Sequence, residues 1–519
     1  MKNTALLIAA LFALLPTADA NAEIKLSSLF GNHMVLQQEK PIRIFGTAAA
    51  GEKVTAEFGG QVANATADDK GSFQVELPAM KADGKAHTLT VSGSNKITFT
   101  DVWLGEVWLC SGQSNMEWSV QASNNAKEEI AAANHPMIRV FNVGGHVRGP
   151  NSTDDPRGTW AVCSPTSIPR FTAVGYYFGR KLQKELGVPV GLVGTNWGGT
   201  RIEPWTPKVG FKSVPNLKDY TANLESIDPA SKAGKARHEK YLADMEIWLA
   251  KARAELENGK GINAPPRISL EPKSGATWIY NGMVTPLIPL SVRGAIWYQG
   301  ESNAGDGLRY EYLKEALVNG WRNVFQNDDM SFYWVQLANF QQPSDKPAGG
   351  GWGPVREGQR RAMRVPKTGM AVIIDIGAAG DIHPRNKQDV GARLALWALA
   401  KDYGQDIVHS GPLYKSMTVS DNKIELSFDH VGGGLMTGKK EGMKPVVETK
   451  DQELGEFAIQ SGDNTWHWAS AKIEGDKVVV WADGVDDPKN VRFAYQSNPT
   501  KFNFYNKAGL PASPFTTEK

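Results

Sequence analysis

The chain has 519 residues, and its 57 Lys and Arg residues nearly balance 55 Asp and Glu residues, which leaves a formal net charge of +2. At roughly 100–200 residues per domain, this length predicts about three domains. Hydrophobic residues make up 41% and charged residues 22% of the chain, which is typical of globular proteins and excludes wholesale disorder. The balanced charge, without any basic block, argues against a protein that binds nucleic acid.

Residues 1–22 have the features of a secretory signal peptide. Lys2 precedes an apolar run over residues 5–15, and small residues at 18–22 fit a cleavage site. The apolar run is too short to span a membrane. We therefore expect a secreted or periplasmic protein that has no membrane span.

Residues 23–100 contain short strand patterns such as KVTAEFGG, SFQVELPA and HTLTVSG, which Gly, Asp, Lys and Asn interrupt at short intervals. This pattern is typical of an antiparallel β-sandwich. The same pattern returns in residues 406–519, for example in KIELSFD and KVVVWADG. We expect a sandwich-like β domain at each end of the chain.

Residues 101–405 alternate apolar strand candidates with helical patterns. The strand candidates are 102–110, 137–143, 188–196, 292–299, 331–339 and 370–377, and the helical patterns include 172–186 and 387–402. This alternation predicts an α/β domain with a doubly wound, mostly parallel sheet. An insertion at about 207–275 carries a charged helix that we expect on the surface.

The chain has two cysteines, Cys110 and Cys163. Two thiols without metal-site spacing do not indicate a metal site. An exported protein permits a disulfide between them, and two buried, inert thiols are the other interpretation.

Open α/β sheets bind their ligands beyond the carboxyl ends of the strands. Four of the predicted strand ends lead into segments that carry Ser114, Gly198, Gln299 and His383. A serine, a glycine pair, an amide and a histidine are the groups that serine-based acyl transfer needs. The sequence therefore predicts a serine hydrolase site at this edge of the sheet.

Within that site, Ser114 is the expected nucleophile because it follows Gly112 in a tight strand-to-helix turn. His383 is the expected general acid and base, and Asp381 is the expected carboxylate that fixes its tautomer. A backbone N–H at Gly198 and the side chain of Gln299 are the expected oxyanion donors. A helix-capping serine and a packed loop histidine are the structural alternatives.

Three glutamates near these strand ends raise a different possibility. Two of Glu117, Glu203 and Glu301 could supply the carboxylate pair of a glycosidase. We favour a supporting role for them as hydrogen-bond acceptors, because a glycosidase would leave the serine and the histidine unexplained.

Four segments in order, WLCSGQSNMEW, GTNWGGTRIEPW, IWYQGESNA and DIHPRNKQDVG, resemble the sialate O-acetylesterase family within the SGNH hydrolases. The resemblance covers about residues 100–405 and implies an SGNH, flavodoxin-like sheet. It also implies hydrolysis of O-acetyl groups on carbohydrates without a metal or an organic cofactor. By motif match, Ser114 is the nucleophile, His383 is the acid and base, and the oxyanion hole consists of Ser114, Gly198 and Gln299.

Two positions depart from the wider SGNH pattern. Gln299 stands where that pattern has an Asn, so Asn196 and Asn303 are rivals as oxyanion donors. The wider pattern spaces its acid and histidine as D-x-x-H, whereas the acid here is Asp381, two residues before the histidine. Asp375 or a backbone carbonyl are the alternatives for the third member.

The resemblance defines the ester more closely than the sugar. Arg201 is the candidate for a sialate carboxylate, with an internal salt bridge as the alternative. Asn115 and Glu301 are the other polar candidates for substrate contact. Four tryptophans are candidates for stacking on sugar faces or for the core, namely Trp118, Trp197, Trp205 and Trp352. Acetylated xylan is the alternative substrate, and a non-catalytic glycan-binding protein is the alternative function.

Overall fold

The computed structural model describes residues 23–450 and 453–519. The predicted signal peptide at 1–22 lies outside the described residues. Within the described ranges, no helix is both long enough and apolar enough to cross a membrane.

The first region consists of short strands. Their bounds are β1 Lys25–Leu26, β2 Val35–Gln37, β3 Ile42–Thr47, β4 Lys53–Phe58, β5 Gln61–Thr66, β6 Ser72–Leu77, β7 Ala86–Ser92 and β8 Lys96–Gly112. Strands β1, β3 and β6 form an antiparallel sheet, and β5, β4, β7 and β8 form a second antiparallel ladder. In β6 the burial alternates along the strand, as expected where a sheet buries one face.

The central region alternates strands and helices as predicted. Its further strands are β9 His135–Asn142, β10 Trp160–Cys163, β11 Val190–Asn196, β12 Gly294–Tyr298, β13 Ser331–Val335 and β14 Thr368–Ala371. Its helices are α1 Ser114–Glu117, α2 Ala126–Ala131, α3 Ala173–Leu186, α4 Lys208–Lys212, α5 Lys218–Ile227, α6 Lys232–Glu257, α7 Tyr310–Phe325, α8 Gly353–Arg361 and α9 Lys387–Lys401. Helix α6 is the predicted charged helix of the insertion, and most of its residues are exposed or half-buried.

The strand order of the central sheet is β10-β9-β11-β8-β12-β13-β14. Only β10 at its edge is antiparallel to its neighbour among these paired strands. Every residue of β12 and β13 is buried, as expected for parallel strands that are covered on both faces. Strands β11 and β12 lie on opposite sides of β8, so the residues that follow these three strands meet at one edge of the sheet.

Strand β8 joins the first region to the central region without a break. Its first half pairs with β7, and its second half, from Glu106 to Gly112, pairs with β11. The buried apolar residues of the two regions form one continuous core. The predicted domain boundary near residue 100 therefore falls inside a single strand, because one strand serves both sheets.

The C-terminal region has its own apolar core. Its strands are β15 Leu413–Ser420, β16 Lys423–Asp429, β17 Leu435–Lys439, β18 Val447–Glu448, β19 Phe457–Gln460, β20 Trp466–Trp468, β21 Ser470–Glu474, β22 Lys477–Trp481, β23 Asn490–Phe493, β24 Phe504–Asn506 and β25 Phe515–Thr516. They form antiparallel sheets with the orders β15-β16-β22-β21, β18-β17-β24 and β20-β19-β23-β25.

Arg356 of α8 attaches this region to the central sheet. Its guanidinium is completely buried and donates to the carbonyls of Leu337 and Ala338, just beyond β13. It also donates to the carbonyls of Gln496 and Ser497 in the C-terminal region. A single cation thus satisfies four buried carbonyls from two parts of the chain.

Asn498 continues this contact toward the loop that follows β14. Its side chain accepts a hydrogen bond from Asn339 Nδ2 (3.0 Å) and donates to the carbonyl of Gln341 (2.8 Å). Asn339 Oδ1 accepts the N–H of Gly377 (2.8 Å), and the N–H of Gln341 donates to the carbonyl of Ala379 (3.0 Å). The C-terminal region therefore supports the loop that carries the predicted catalytic histidine.

Candidate active site

The turn that presents Ser114 depends on Gly112, the last residue of β8. Gly112 has a φ of +143°, and a Cβ placed on it would lie 2.2 Å from the carbonyl oxygen of Tyr298 in β12. Only glycine permits this close approach of two backbones. Ser114 begins α1 directly after this turn, so its hydroxyl lies at the carboxyl end of the central strand.

Ser114 and His383 meet in the structure although 269 residues separate them in the sequence. The distance from Ser114 Oγ to His383 Nε2 is 2.9 Å. The imidazole ring stacks on the indole of Trp118, with ring centroids 4.9 Å apart and planes 16° apart. Within the described residues, the backbone N–H of Ser114 donates to no protein acceptor, so it is available to a ligand.

Asp381 lies beside the other nitrogen of the imidazole. Its Oδ1 is 3.6 Å from His383 Nδ1 and accepts the backbone N–H of His383 at 2.9 Å. The rival carboxylate, Asp375, receives two hydrogen bonds from Arg393, of 2.6 and 2.8 Å. Of the two predicted carboxylates, Asp381 therefore contacts the histidine, and Asp375 anchors a guanidinium.

The pKa of His383 lies below its ordinary value. Partial burial is the larger cause, and the nearby cation of Lys387 is the second, while Asp381 acts in the opposite direction. An imidazole with this lowered pKa is neutral at pH 7. It can accept a proton from the serine hydroxyl to which it is hydrogen-bonded.

Gly198 lies against the nucleophile, and its backbone N–H is already occupied. A Cβ placed on Gly198 would lie 3.4 Å from Ser114 Cβ. The N–H donates to Glu117 Oε2 at 2.7 Å, and the other oxygen of Glu117 lies 3.2 Å from His146 Nε2. His146 stacks flat on Trp197, with centroids 4.7 Å apart.

His146 was not among the residues that the sequence indicated. It lies in the irregular segment between β9 and β10, where neither a strand end nor a motif identifies a functional residue.

The expectation that Gln299 is an oxyanion donor is corrected. Gln299 is fully buried, and its two amide hydrogens face Asn303 Oδ1 (2.6 Å) and the carbonyl of Thr200 (3.2 Å). Its oxygen accepts the hydroxyl of Tyr310. Because every polar atom of this amide has a partner in the protein, it has no hydrogen left for a ligand.

The two rival amides, Asn196 and Asn303, differ in whether they keep an N–H free for a ligand. Asn303 is fully buried and donates to Glu203 Oε2 (3.0 Å) and Asp306 Oδ2 (2.8 Å). Asn196 is only partly buried, and within the described chain its one contact as a donor is a long 3.4 Å contact with the carbonyl of Cys110. Asn196 is therefore the amide of the three that retains a free N–H.

Arg201 forms internal ion pairs, so its predicted role in binding a sialate carboxylate is corrected. Its guanidinium contacts Glu203 at 2.7 Å and Asp306 at 2.6 Å, and it donates to the carbonyl of Ser302. Burial alone would raise the pKa of Glu203, but hydrogen bonds from Arg201 and Asn303 outweigh burial and hold that pKa below its ordinary value. Arg201 therefore forms the internal salt bridge that was the predicted alternative.

Asn115 is fully buried, so its predicted role in contacting substrate is corrected as well. Its amide donates to Glu301 Oε1 (2.6 Å) and to the carbonyl of Ile382 (3.0 Å), and its oxygen accepts Lys387 Nζ. Glu301 is half-buried, and burial raises its pKa. Glu117, Glu203 and Glu301 all accept hydrogen bonds from neighbouring groups. This is the supporting role that we favoured over a glycosidase carboxylate pair.

The tryptophan candidates divide into two groups. Trp205 and Trp352 are buried in the core, whereas Trp118 and Trp197 are partly exposed beside the Ser114–His383 pair. Cys110 and Cys163 are both buried free thiols. Across the described part of the chain, no three His, Cys, Asp or Glu residues converge closely enough to hold a metal ion.

Known proteins are similar to this chain in both sequence and fold. Residues 104–257 match the family model described as carbohydrate esterase, sialic acid-specific acetylesterase. The chain is 28% identical to a mouse sialate O-acetylesterase, covering 96% of this chain and 95% of that one. It is 27% identical to the human sialate O-acetylesterase, and the match covers 99% of this chain and 97% of that one. The solved structure of a carbohydrate acetylesterase from Xanthomonas citri is similar with a TM-score of 0.77 and 32% identity, covering 96% of this chain and all of that one.

Replacing Arg201 with Met should destabilise the fold most strongly near neutral pH. A carboxyl whose pKa is lowered in the folded state contributes stability above its ordinary pKa, and this contribution is lost as the pH falls through the folded value. Breaking a fully buried ion pair costs about 3–5 kcal/mol. Because Arg201 is one-third exposed, solvent screening reduces the expected loss to about 2–3 kcal/mol at neutral pH.

Urea unfolding of Arg201→Met and wild type at about pH 7 and about pH 4 checks this expectation. The difference between the two proteins should shrink as the pH falls, because the buried Glu203 of Arg201→Met lacks the cation that holds its pKa down and takes up a proton before Glu203 of the wild type does. Arg170→Met, at an exposed arginine, is the control. An equal loss at both pH values would contradict the assignment.

Proposed function

Because this chain belongs to the sialic acid-specific acetylesterase family of carbohydrate esterases, we propose that it removes O-acetyl groups from sialic acids, with Ser114 as the nucleophile. The membership confirms the resemblance predicted from the four motifs. The chain is a carboxylic ester hydrolase that acts on carbohydrates, so the alternative of a non-catalytic glycan-binding protein is set aside.

In the first half of the reaction, Ser114 Oγ attacks the acetyl carbonyl carbon while His383 Nε2 takes the hydroxyl proton. The carbonyl oxygen becomes negatively charged in the tetrahedral intermediate. When the bond to the sugar oxygen breaks, His383 returns the proton to that oxygen, and the sugar leaves as an alcohol. The acetyl group remains on Ser114 as an ester.

In the second half, His383 takes a proton from water, and the resulting hydroxide oxygen attacks the acetyl-serine. Collapse of the second intermediate releases acetate, and the proton returns to Ser114 Oγ. Asp381 holds the Nδ1 proton of the imidazole toward itself and stabilises the imidazolium that forms in each half. The contact of 2.9 Å between Ser114 Oγ and His383 Nε2 is the observation that carries this proposal.

The oxyanion needs donors that are free when the substrate arrives. The backbone N–H of Ser114 is free, and we assign it as one donor. The N–H of Gly198 is the second, and Glu117 Oε2 marks the position that a negative oxygen takes against it. The side chain of Glu117 is 38% exposed, so it can turn toward His146 and release this N–H.

The sugar-binding wall consists of the half-exposed aromatic groups around Ser114. Trp197 with the stacked His146 lies on the Gly198 side, and Trp118 lies on the His383 side. Flat apolar faces of this kind suit sugar rings. The engagement of Arg201 with two acids favours a second candidate substrate, a neutral acetylated glycan such as acetyl xylan, because that arginine is not free for a carboxylate.

The features of residues 1–22, Lys2 followed by the apolar run over 5–15, support export of this enzyme to the periplasm or the medium.

Release of acetate from 9-O-acetylated sialic acid tests the proposal. Ser114→Ala should lose most of the activity, on the order of 10⁴-fold, because the nucleophile is removed. Ser119→Ala, in the segment that follows α1, is the matched control and should retain activity. Acetyl xylan assayed in parallel separates the two substrate classes. Hydrolysis that persists in purified Ser114→Ala would falsify the role of this serine.

Asp381→Asn should lower kcat by about 10²- to 10⁴-fold with folding intact, because an amide cannot stabilise the imidazolium as a carboxylate does. Asp375→Asn is the matched comparison, and it should reduce stability through the unpaired Arg393 guanidinium rather than kcat. Steady-state kinetics and thermal unfolding of both variants distinguish these effects. A normal kcat in Asp381→Asn would transfer the role to another group.

A further inference from the structure

Lys387 is a buried cation that the proposed reaction does not use. It is the first residue of α9, four positions after His383, and its exposed fraction is 0%. Its ammonium lies over the rings of Tyr298 (5.1 Å) and Trp118 (5.8 Å). Because none of it is accessible, it cannot touch the substrate.

A buried lysine at this position destabilises the folded state. Moving an ammonium out of water costs several kcal/mol, and the first turn of a helix disfavours cations because of the helix dipole. The surrounding aromatic faces offset part of this cost. The ammonium of Lys387 donates a hydrogen bond to the side-chain oxygen of Asn115.

The amide of Asn115 connects the two halves of the catalytic pair. Asn115 follows Ser114 directly, and its Nδ2 donates to the carbonyl of Ile382, the residue before His383, at 3.0 Å. The same nitrogen donates to Glu301 Oε1 at 2.6 Å. Flipping this amide would turn its NH2 group toward the ammonium, which can only donate, so the lysine fixes the direction of both donated bonds.

We propose that Lys387 is a positioning residue that, by holding the Asn115 amide, fixes the separation between Ser114 and His383. This inference rests on the proposed function, since it assigns a role relative to that catalytic pair. Its action is indirect, because Lys387 contacts neither Ser114 Oγ nor the imidazole by a hydrogen bond.

Lys387 also acts through its charge on the pKa of His383, which a residue with a purely structural role would not do. The titratable groups around it are His383, Asp381, Glu301 and Tyr298, and Glu301 also acts on the buried ammonium of Lys314. Burial lowers the pKa of Lys387 to about 7, opposed by Glu301 and Asp381. After burial, the Lys387 cation is the next cause of the lowered pKa of His383, so removing the cation raises that pKa.

Lys387→Met tests the proposal, with Lys401→Met, at an exposed position on the same helix, as the control. We expect kcat for 4-nitrophenyl acetate to fall by about 10- to 10²-fold with KM unchanged, as a misplaced catalytic group produces. In the profile of kcat/KM against pH, the acidic limb should move to higher pH. The proposal would be overturned if kcat and the pH of the acidic limb both equalled those of Lys401→Met. It would also be overturned if kcat fell while the acidic limb stayed at the same pH.

Two further measurements keep the test decisive. If Lys387→Met does not fold, Asn115→Ala replaces it: a lowered kcat at unchanged KM supports the proposal, and a wild-type kcat overturns it. If the wild-type protein hydrolyses no acetyl ester, the proposed function has failed, and an NMR titration of His383 then decides the inference alone. A higher pKa of His383 in Lys387→Met supports it, and an unchanged pKa overturns it.

Discussion

The hydrogen bond between Ser114 and His383 is the contact that the surrounding structure holds in place. Its two residues come from distant parts of the chain, so their separation of 2.9 Å is set by the elements that carry them. The parallel sheet brings the ends of β8 and β12 to one edge, and Gly112 lets the backbone turn tightly against Tyr298. The buried amide of Asn115 then ties the serine turn to the histidine loop. A hydrogen bond of this kind contributes to chemistry only when the geometry is held in advance.

The parts of the chain outside the central sheet serve the same geometry. The first region shares β8 and a continuous core with the central region, so the strand that ends at the nucleophile is anchored over its whole length. The C-terminal region contacts the histidine loop through Asn498 and the segment at 339–341. Arg356 holds that contact in place with four buried hydrogen bonds. This arrangement lets the C-terminal β region support the loop that carries His383.

The amino-acid sequence was informative where one general rule of topology applies. Ligand sites of open α/β sheets lie beyond the carboxyl ends of the strands, and this rule alone predicts that Ser114 and His383 lie together. It could not show which neighbours satisfy a polar side chain. Arg201 pairs with Asp306, 105 residues away, and Gln299 gives its hydrogens to Asn303 and Thr200, contacts that only the folded chain creates. His146 and the sharing of β8 by two sheets were not predicted, because no periodicity or motif identifies a stacked loop residue or a strand that belongs to two sheets.

Mass spectrometric mapping of a trapped covalent adduct tests the central claim most directly. A serine-directed phosphonate forms a stable bond to a serine hydroxyl that a neighbouring base has activated. The account predicts a single modified peptide that carries the adduct on Ser114, and loss of that adduct when His383 is replaced by Ala. An adduct on another serine, or equal labelling of Ser114 in the His383→Ala protein, would contradict the assignment of these two residues as nucleophile and base.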